Sequence, residues 1–363
     1  MQTAYFSTLL GLAGLERLAL VIALLFWPQV APEVGEYPPP ERTYEVGLHQ
    51  MTLEYADEEG RAESLDVAVW YPTDEASAPF IYPTGSRSYV AVDAAPSADG
   101  PFPLVIFNHG FNASEMQSLY LKEALAAEGY IVASVHFNDN LLLSLTDLFH
   151  LSNLPNGGGL DEYIHQVYET YFNTVRVPVA GALLDLMLDL NSNETSLFYS
   201  AIDAEAVAMG GHSFGGLTTV GLIGGNSDET YNDPRIKAAL LLSSPSYPFE
   251  KNYGNVHIPI MSMRGELDIL LNRPEDNFWY LNDGVNPPYF DLVLRNADHF
   301  TFSETDGGKG WVPAAIAEDK RLAVIIDYSL AFFDYYLKDN SEAVTTLNQT
   351  APVLISYFFE LEP

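Results

Sequence analysis

Cysteine is absent from all 363 residues. That excludes a disulfide scaffold, a thiol nucleophile and any thiolate metal site. Basic residues are scarce: 16 Lys and Arg stand against 49 Asp and Glu, a formal net charge of −33. Nucleic-acid binding needs clustered cations to displace counterions from phosphate, so this balance argues against such a partner. An acidic, lysine-poor surface suits a salty medium, where screening relieves self-repulsion, and it carries no information about chemistry. No His-x-x-His pair or clustered carboxylate–histidine motif occurs, which argues against a metal-dependent hydrolase, and no residue is assigned as a metal ligand. Internal repeats and low-complexity tracts are missing too. What remains is a chain of 48% hydrophobic and 18% charged residues. It is long enough for one large α/β domain or two small ones.

Residues 4–27 are almost wholly apolar, with Glu16 and Arg17 the charged interruptions, and Pro28 and Pro32 end the run. As one helix the run spans a bilayer at about 1.5 Å per residue. It lacks a basic n-region and a clean small-x-small cleavage site. A membrane anchor or uncleaved signal is the first reading; a cleaved signal and a helix packed on the domain are the alternatives. Arg17 before the uninterrupted apolar stretch Leu18–Trp27 and Glu33 and Glu36 after it bias the C-terminal side outward. The expected location is therefore membrane-anchored or secreted, outside the cytoplasm. Three segments are expected: the apolar stretch 1–30, a Pro-rich linker 31–41, and a catalytic domain 42–363 with an insertion at 138–176.

Within that domain, Tyr44–Tyr55 and Ser64–Tyr71 read as a hairpin, and a long polar loop follows. Phe102–Phe107 is continuously apolar, as a strand buried on both faces should be. A helix over about 114–128 and a strand over 130–135 complete a parallel βαβ unit. Further strands are expected at 205–210, 236–243, 258–264 and 289–295. Helices are expected at 179–190, 214–223, 274–281 and 320–338, and surface loops at 225–234 and 303–313. Between them, Leu141, Leu145, Leu148 and Phe149 recur at helical spacing in 138–176, which reads as a lid or pocket wall, or equally as core packing.

The most informative stretch is Val207-Ala208-Met209-Gly210-Gly211-His212-Ser213-Phe214-Gly215-Gly216-Leu217. An apolar strand runs into Gly-x-Ser-x-Gly and then a helix, the pattern of a nucleophile elbow. Side chains at Gly211 or Gly215 would crowd the turn that lifts the Ser213 hydroxyl clear of the sheet. The bland alternative is a Gly-rich strand–helix turn with an incidental serine. A serine nucleophile needs a base. Of eight histidines, His299 directly follows the last apolar strand, at the sheet rim where Ser213 lies. His136, also at a strand end, is the second choice. The base needs a carboxylate; Asp268, after strand 258–264, completes the order Ser…Asp…His, with Glu266 as the alternative. Asp298 adjoins His299 but is poorly placed to curl back. An oxyanion hole needs two N–H donors: the Phe214 backbone N–H is one, and Phe111 N–H, with Gly110 allowing the close turn, is the other. His212 and His109 read as wall or loop-ordering residues. Gly110, His212, Leu145 and Phe149 are the candidate substrate-binding residues.

Val105-Ile106-Phe107-Asn108-His109-Gly110-Phe111, Glu128-Gly129-Tyr130-Ile131-Val132-Ala133, Gly211-His212-Ser213-Phe214-Gly215-Gly216 and Ala297-Asp298-His299-Phe300 together resemble the α/β-hydrolase superfamily. Within it, the chain is most similar to bacterial relatives of platelet-activating-factor acetylhydrolases, dienelactone hydrolases and cutinase-like polyester hydrolases, and Val67-Ala68-Val69-Trp70-Tyr71-Pro72 resembles their second strand. The likeness spans about residues 44–338. It implies a mostly parallel sheet flanked by helices, and carboxyl-ester hydrolysis through an acyl-enzyme without metal or organic cofactor. Two departures stand out. Segment 138–176 is longer and more apolar than a compact cutinase-like enzyme carries. Phe214 also follows the nucleophile where the polyester hydrolases commonly have Met. Both favour a lipid-like or small ester over a polymer. The rivals are a polyester hydrolase, acyl transfer or amide hydrolysis at the same triad, and a non-catalytic binding module on the same fold.

Overall fold

Unbroken apolar runs become the central strands because both their faces are covered. The computed structural model describes residues 37–56, 60, 62–137, 139, 169–245, 249, 252–271, 286, 288–303 and 310–360. Among these residues, eleven strands form one sheet: β1 (Glu45–Ala56), β2 (Ala62–Thr73), β3 (Ala78–Ile81), β4 (Arg87–Val92), β5 (Phe102–Asn108), β6 (Ile131–Val135), β7 (Ile202–His212), β8 (Ile236–Leu242), β9 (Ile260–Gly265), β10 (Tyr289–Leu294) and β11 (Leu354–Glu360). Their order across the sheet is β11-β10-β9-β8-β7-β5-β6-β2-β1-β4-β3. Strands β5 to β10 run parallel to their neighbours in that group. The hairpin β1–β2 joins β6 antiparallel, and β11 lies antiparallel on β10.

Every residue of β5, β6 and β10 is buried. On one face the sheet is covered by α2 (Val177–Ser192) and α3 (Phe214–Leu222), through side chains such as Leu183, Leu184, Leu217 and Val220. On the other lie α1 (Leu119–Ala127), α4 (Val312–Glu318) and α5 (Lys320–Leu337), with Leu121, Val312, Ile325 and Phe332 in the second core. Helix α1 ends in a paired reversal: Gly129 N–H bonds Ala126 O at 3.2 Å and Tyr130 N–H bonds Leu125 O at 3.1 Å. Gly129 sits at φ +87°, which a residue with a Cβ adopts only at a cost.

The chain steps from β5 outward to β6 and then returns across β5 to β7. The loops after β5 and β7 therefore leave the same edge side by side, at the place where the winding reverses. That is where open α/β sheets form their crevices.

Several expectations change. The polar loop after β2 contains β3 and β4, and β11 extends the far edge. The surface loop expected to reach 313 gives way to α4 at Val312, with proline in its first turn, where the missing N–H costs nothing. Helix α1 begins at Leu119 rather than near 114. The helix expected at 274–281 lies outside the described residues, as do 1–36, Leu145 and Phe149. Residues Tyr37–Pro363 form a compact unit. Among the described residues, no helix is long and apolar enough to cross a membrane.

Candidate active site

Strand β7 enters its turn through glycines for a steric reason. A Cβ on Gly211 or on Gly215 would overlap the Asn108 carbonyl oxygen at the end of β5. Without those side chains, Ser213 takes φ 54° and ψ −121°, a conformation that L-residues rarely adopt. Its own N–H holds Leu242 O at the end of β8 at 2.9 Å, and α3 starts immediately behind it. Ser213 is only partly buried. This is the strained elbow geometry expected for Ser213.

Asp268 and His299 meet across the ends of β9 and β10. His299 Nδ1 lies 2.9 Å from Asp268 Oδ2, and both side chains are buried. The other carboxylate oxygen accepts the N–H groups of Leu270 and Leu271 at 3.1 and 3.2 Å. That leaves the Asp268 carboxylate fixed and fully engaged. His299 opens a short 3-10 helix, His299–Phe302, which Asp298 caps. The Asp298 carboxylate accepts Thr301 N–H at 2.9 Å, so its task is local. Glu266 is likewise engaged elsewhere, accepting Asn296 N–H at 2.9 Å in the neighbouring turn. His136 is half-buried and pairs with Glu115 at 3.0 Å, a hydrogen bond that raises it above the ordinary imidazole value.

His212 connects the elbow to the histidine turn. Its Nε2 lies 2.8 Å from the His299 carbonyl oxygen, so Nε2 carries the proton. The two rings stand 4.7 Å apart. Burial, and then the adjacent His299, hold His212 well below the ordinary imidazole value.

The loop after β5 lies against the serine: a Cβ on Gly110 would stand 3.4 Å from Ser213 Cβ. The Phe111 and Phe214 rings are 5.4 Å apart. Around this loop lies a polar network that the sequence reading missed. Arg176 has no solvent exposure. Its guanidinium donates to His109 O at 2.7 Å, to Gly110 O at 3.1 Å, and to both Asp139 oxygens at 3.0 and 2.6 Å. Asp139 also accepts Asn112 N–H at 2.8 Å and the Tyr171 hydroxyl. Burial raises the Asp139 carboxyl, but Arg176, His109 and the Tyr171 hydroxyl together hold the group below the usual aspartate value. His109 donates from Nδ1 to Gly110 O at 2.6 Å and accepts Phe137 N–H at Nε2, 2.9 Å away. Burial first, then Arg176, keep it neutral. The available signal was one arginine, in a chain poor in cations, opening the otherwise apolar helical run Val175–Leu184.

The structure brings Ser213, Asp268, His299, Gly110, Phe111, His212 and Phe214 to one rim. Leu267 and Ile269, on either side of Asp268, are exposed apolar side chains there, 52% and 58% accessible. Among the described residues, no group of three or more His, Asp or Glu side chains is placed to hold a metal ion.

Residues 173–325 match the PET hydrolase-like family, a stretch that contains Arg176, Ser213, Asp268 and His299. Among solved structures, a ferulic acid esterase from Streptomyces cinnamoneus superposes with a TM-score of 0.55 at 21% identity, covering 89% of this chain and 98% of that one. The chain has the α/β-hydrolase fold, and its residues 173–325 are similar to the PET hydrolase-like family.

Proposed function

We propose that this serine ester hydrolase cleaves a small or lipid-like carboxyl ester through an acyl-enzyme. Ser213 Oγ attacks the acyl carbon while His299 takes its proton. The carbonyl electron pair moves onto oxygen, where the N–H groups of Phe111 and Phe214 stabilise it. Collapse expels the alcohol, which takes the proton back from His299. Water then repeats the sequence, releasing the acid and restoring Ser213. Asp268 keeps the His299 proton on Nδ1, so that Nε2 is the basic nitrogen, and it stabilises the imidazolium as it forms. The observation that carries this reading is the buried His299–Asp268 pair at the same sheet edge as a serine in elbow geometry. The exposed Leu267 and Ile269 and the partly exposed Phe111 and Phe214 support an apolar substrate at that rim.

The second reading is hydrolysis of a polyester, favoured by the PET hydrolase-like match. Two measurements decide. Ser213→Ala should abolish fluorophosphonate labelling and cut turnover on the order of 10⁴–10⁶-fold while the protein stays folded. Undiminished turnover in that variant removes the mechanism. A series of p-nitrophenyl esters, run beside a polyester film, then selects the substrate: preference for soluble esters with little film hydrolysis supports the first reading, and efficient film hydrolysis replaces it with the second. The apolar run 4–27 supports a place outside the cytoplasm, anchored or secreted. Fractionation of cells expressing the full chain tests it, and a soluble cytoplasmic product overturns it.

A further inference from the structure

We propose that Arg176 and Asp139 are positioning residues that hold the loop after β5 so that the Phe111 N–H points at the reacting oxygen. The inference rests on the ester-hydrolase reading above. Gly110 N–H is held by Gln117 Oε1 at 2.7 Å, and Asn112 N–H by Asp139 Oδ2 at 2.8 Å. The carbonyls of His109 and Gly110 are both held by Arg176. Between these engaged groups, Phe111 N–H has no hydrogen-bond partner among the described residues. The four flanking backbone groups are thus held by Gln117, Asp139 and Arg176, and the Phe111 N–H is left for a ligand.

The chemistry of Arg176 suits the task. One planar guanidinium serves two carbonyls and a bidentate carboxylate, a fork that lysine cannot reproduce. Its face lies over the Phe137 ring at 4.5 Å and the Phe214 ring at 6.0 Å, so it also touches the residue that supplies the second oxyanion donor. Arg176 sits at the end of a π-helical turn, Phe172–Arg176, which leads directly into α2. Such turns insert an extra residue and re-aim a side chain, and they are frequent at functional sites. Asp139 approaches from the other side, just past β6. Two chain segments thereby clamp a third. Because the oxyanion forms only in the transition state, misplacing this donor should affect kcat more than substrate binding.

The experiment compares Arg176→Gln, Arg176→Lys and Asp139→Asn with wild type, using p-nitrophenyl acetate and a trifluoromethyl ketone that forms a tetrahedral adduct on serine. Circular dichroism and thermal melting establish which variants are folded. In folded variants kcat is expected to fall about 10–10³-fold, by the scale of losing an oxyanion donor, with KM within about threefold. Ketone affinity should weaken in parallel with kcat. Should Arg176→Gln fail to fold, Arg176→Lys decides. A folded Arg176→Lys or Asp139→Asn with wild-type kcat and ketone affinity overturns the inference, as does a loss confined to KM. Failure of the underlying reading looks different: wild type itself would neither turn over esters nor bind the ketone.

Discussion

Ser213 takes a backbone conformation that its own side chain disfavours, and the glycines around it make this tolerable. Gly215 is the sharper case, because a Cβ there meets both the Asn108 carbonyl and the His109 carbonyl oxygen, the latter at 2.8 Å. Gly215→Ala should therefore push the loop after β5 away from the elbow. Overpacking of this kind costs about 1–3 kcal/mol, so a lower urea midpoint and a fall in ester turnover are expected together. Wild-type stability and turnover in Gly215→Ala would show that the contact relaxes freely. The parts of the site written as local patterns were legible in the sequence. Gly-x-Ser-x-Gly names Ser213, and Asp268 and His299 each follow an apolar strand. The Arg176–Asp139 pair was not legible, since its members are 37 positions apart and neither lies in a motif. Only the folded chain shows that the two converge on the loop carrying Phe111.

Three central strands end in histidine: His109 follows β5, His136 follows β6, and His212 closes β7. Their protons have opposite effects on stability. His212 and His109 are held below the ordinary imidazole value of 6.5, chiefly by burial. The unfolded chain binds those protons more readily, so their contribution is full above about pH 6.5 and is lost as pH falls. His136 is raised by its bond to Glu115, so its contribution is full below about pH 6.5 and is lost at higher pH. Asp291, pushed up to about 6 by burial, also gains stability on acidification. The total slope mixes these terms, and a variant separates them. Between pH 7 and pH 5, wild type should lose up to about 2 kcal/mol more than His212→Asn, read from urea unfolding. Equal slopes would mean that His212 becomes protonated without loss of its packing. Legibility at this scale follows burial. Strands β5 to β10 were readable because most of each strand is buried and mostly apolar. The edge strands β3 and β11, and β4 beside β3, were not. Their spans are short and leave Ile81, Val92, Ile355 and Phe358 exposed, so they lack the long buried apolar run of a central strand and also fit loops.

At the scale of the whole molecule, the net charge of −33 acts against compaction. Raising sodium chloride from about 0.01 M to 1 M shortens the screening length from roughly 30 Å to 3 Å. The melting temperature should rise by a few degrees across that range; a flat or falling value would show that the carboxylates are spaced widely enough not to matter. The winding of the sheet has a further consequence, for biosynthesis. Strand β5 pairs with β6 on one edge and with β7 on the other, yet β7 begins at Ile202, long after β5 ends at Asn108. At about 5–20 residues per second, a ribosome needs on the order of 5–20 s to bridge that interval. Throughout it this wholly buried strand has an open edge, so the nascent chain presents a natural client surface for chaperones until the nucleophile strand emerges and closes it.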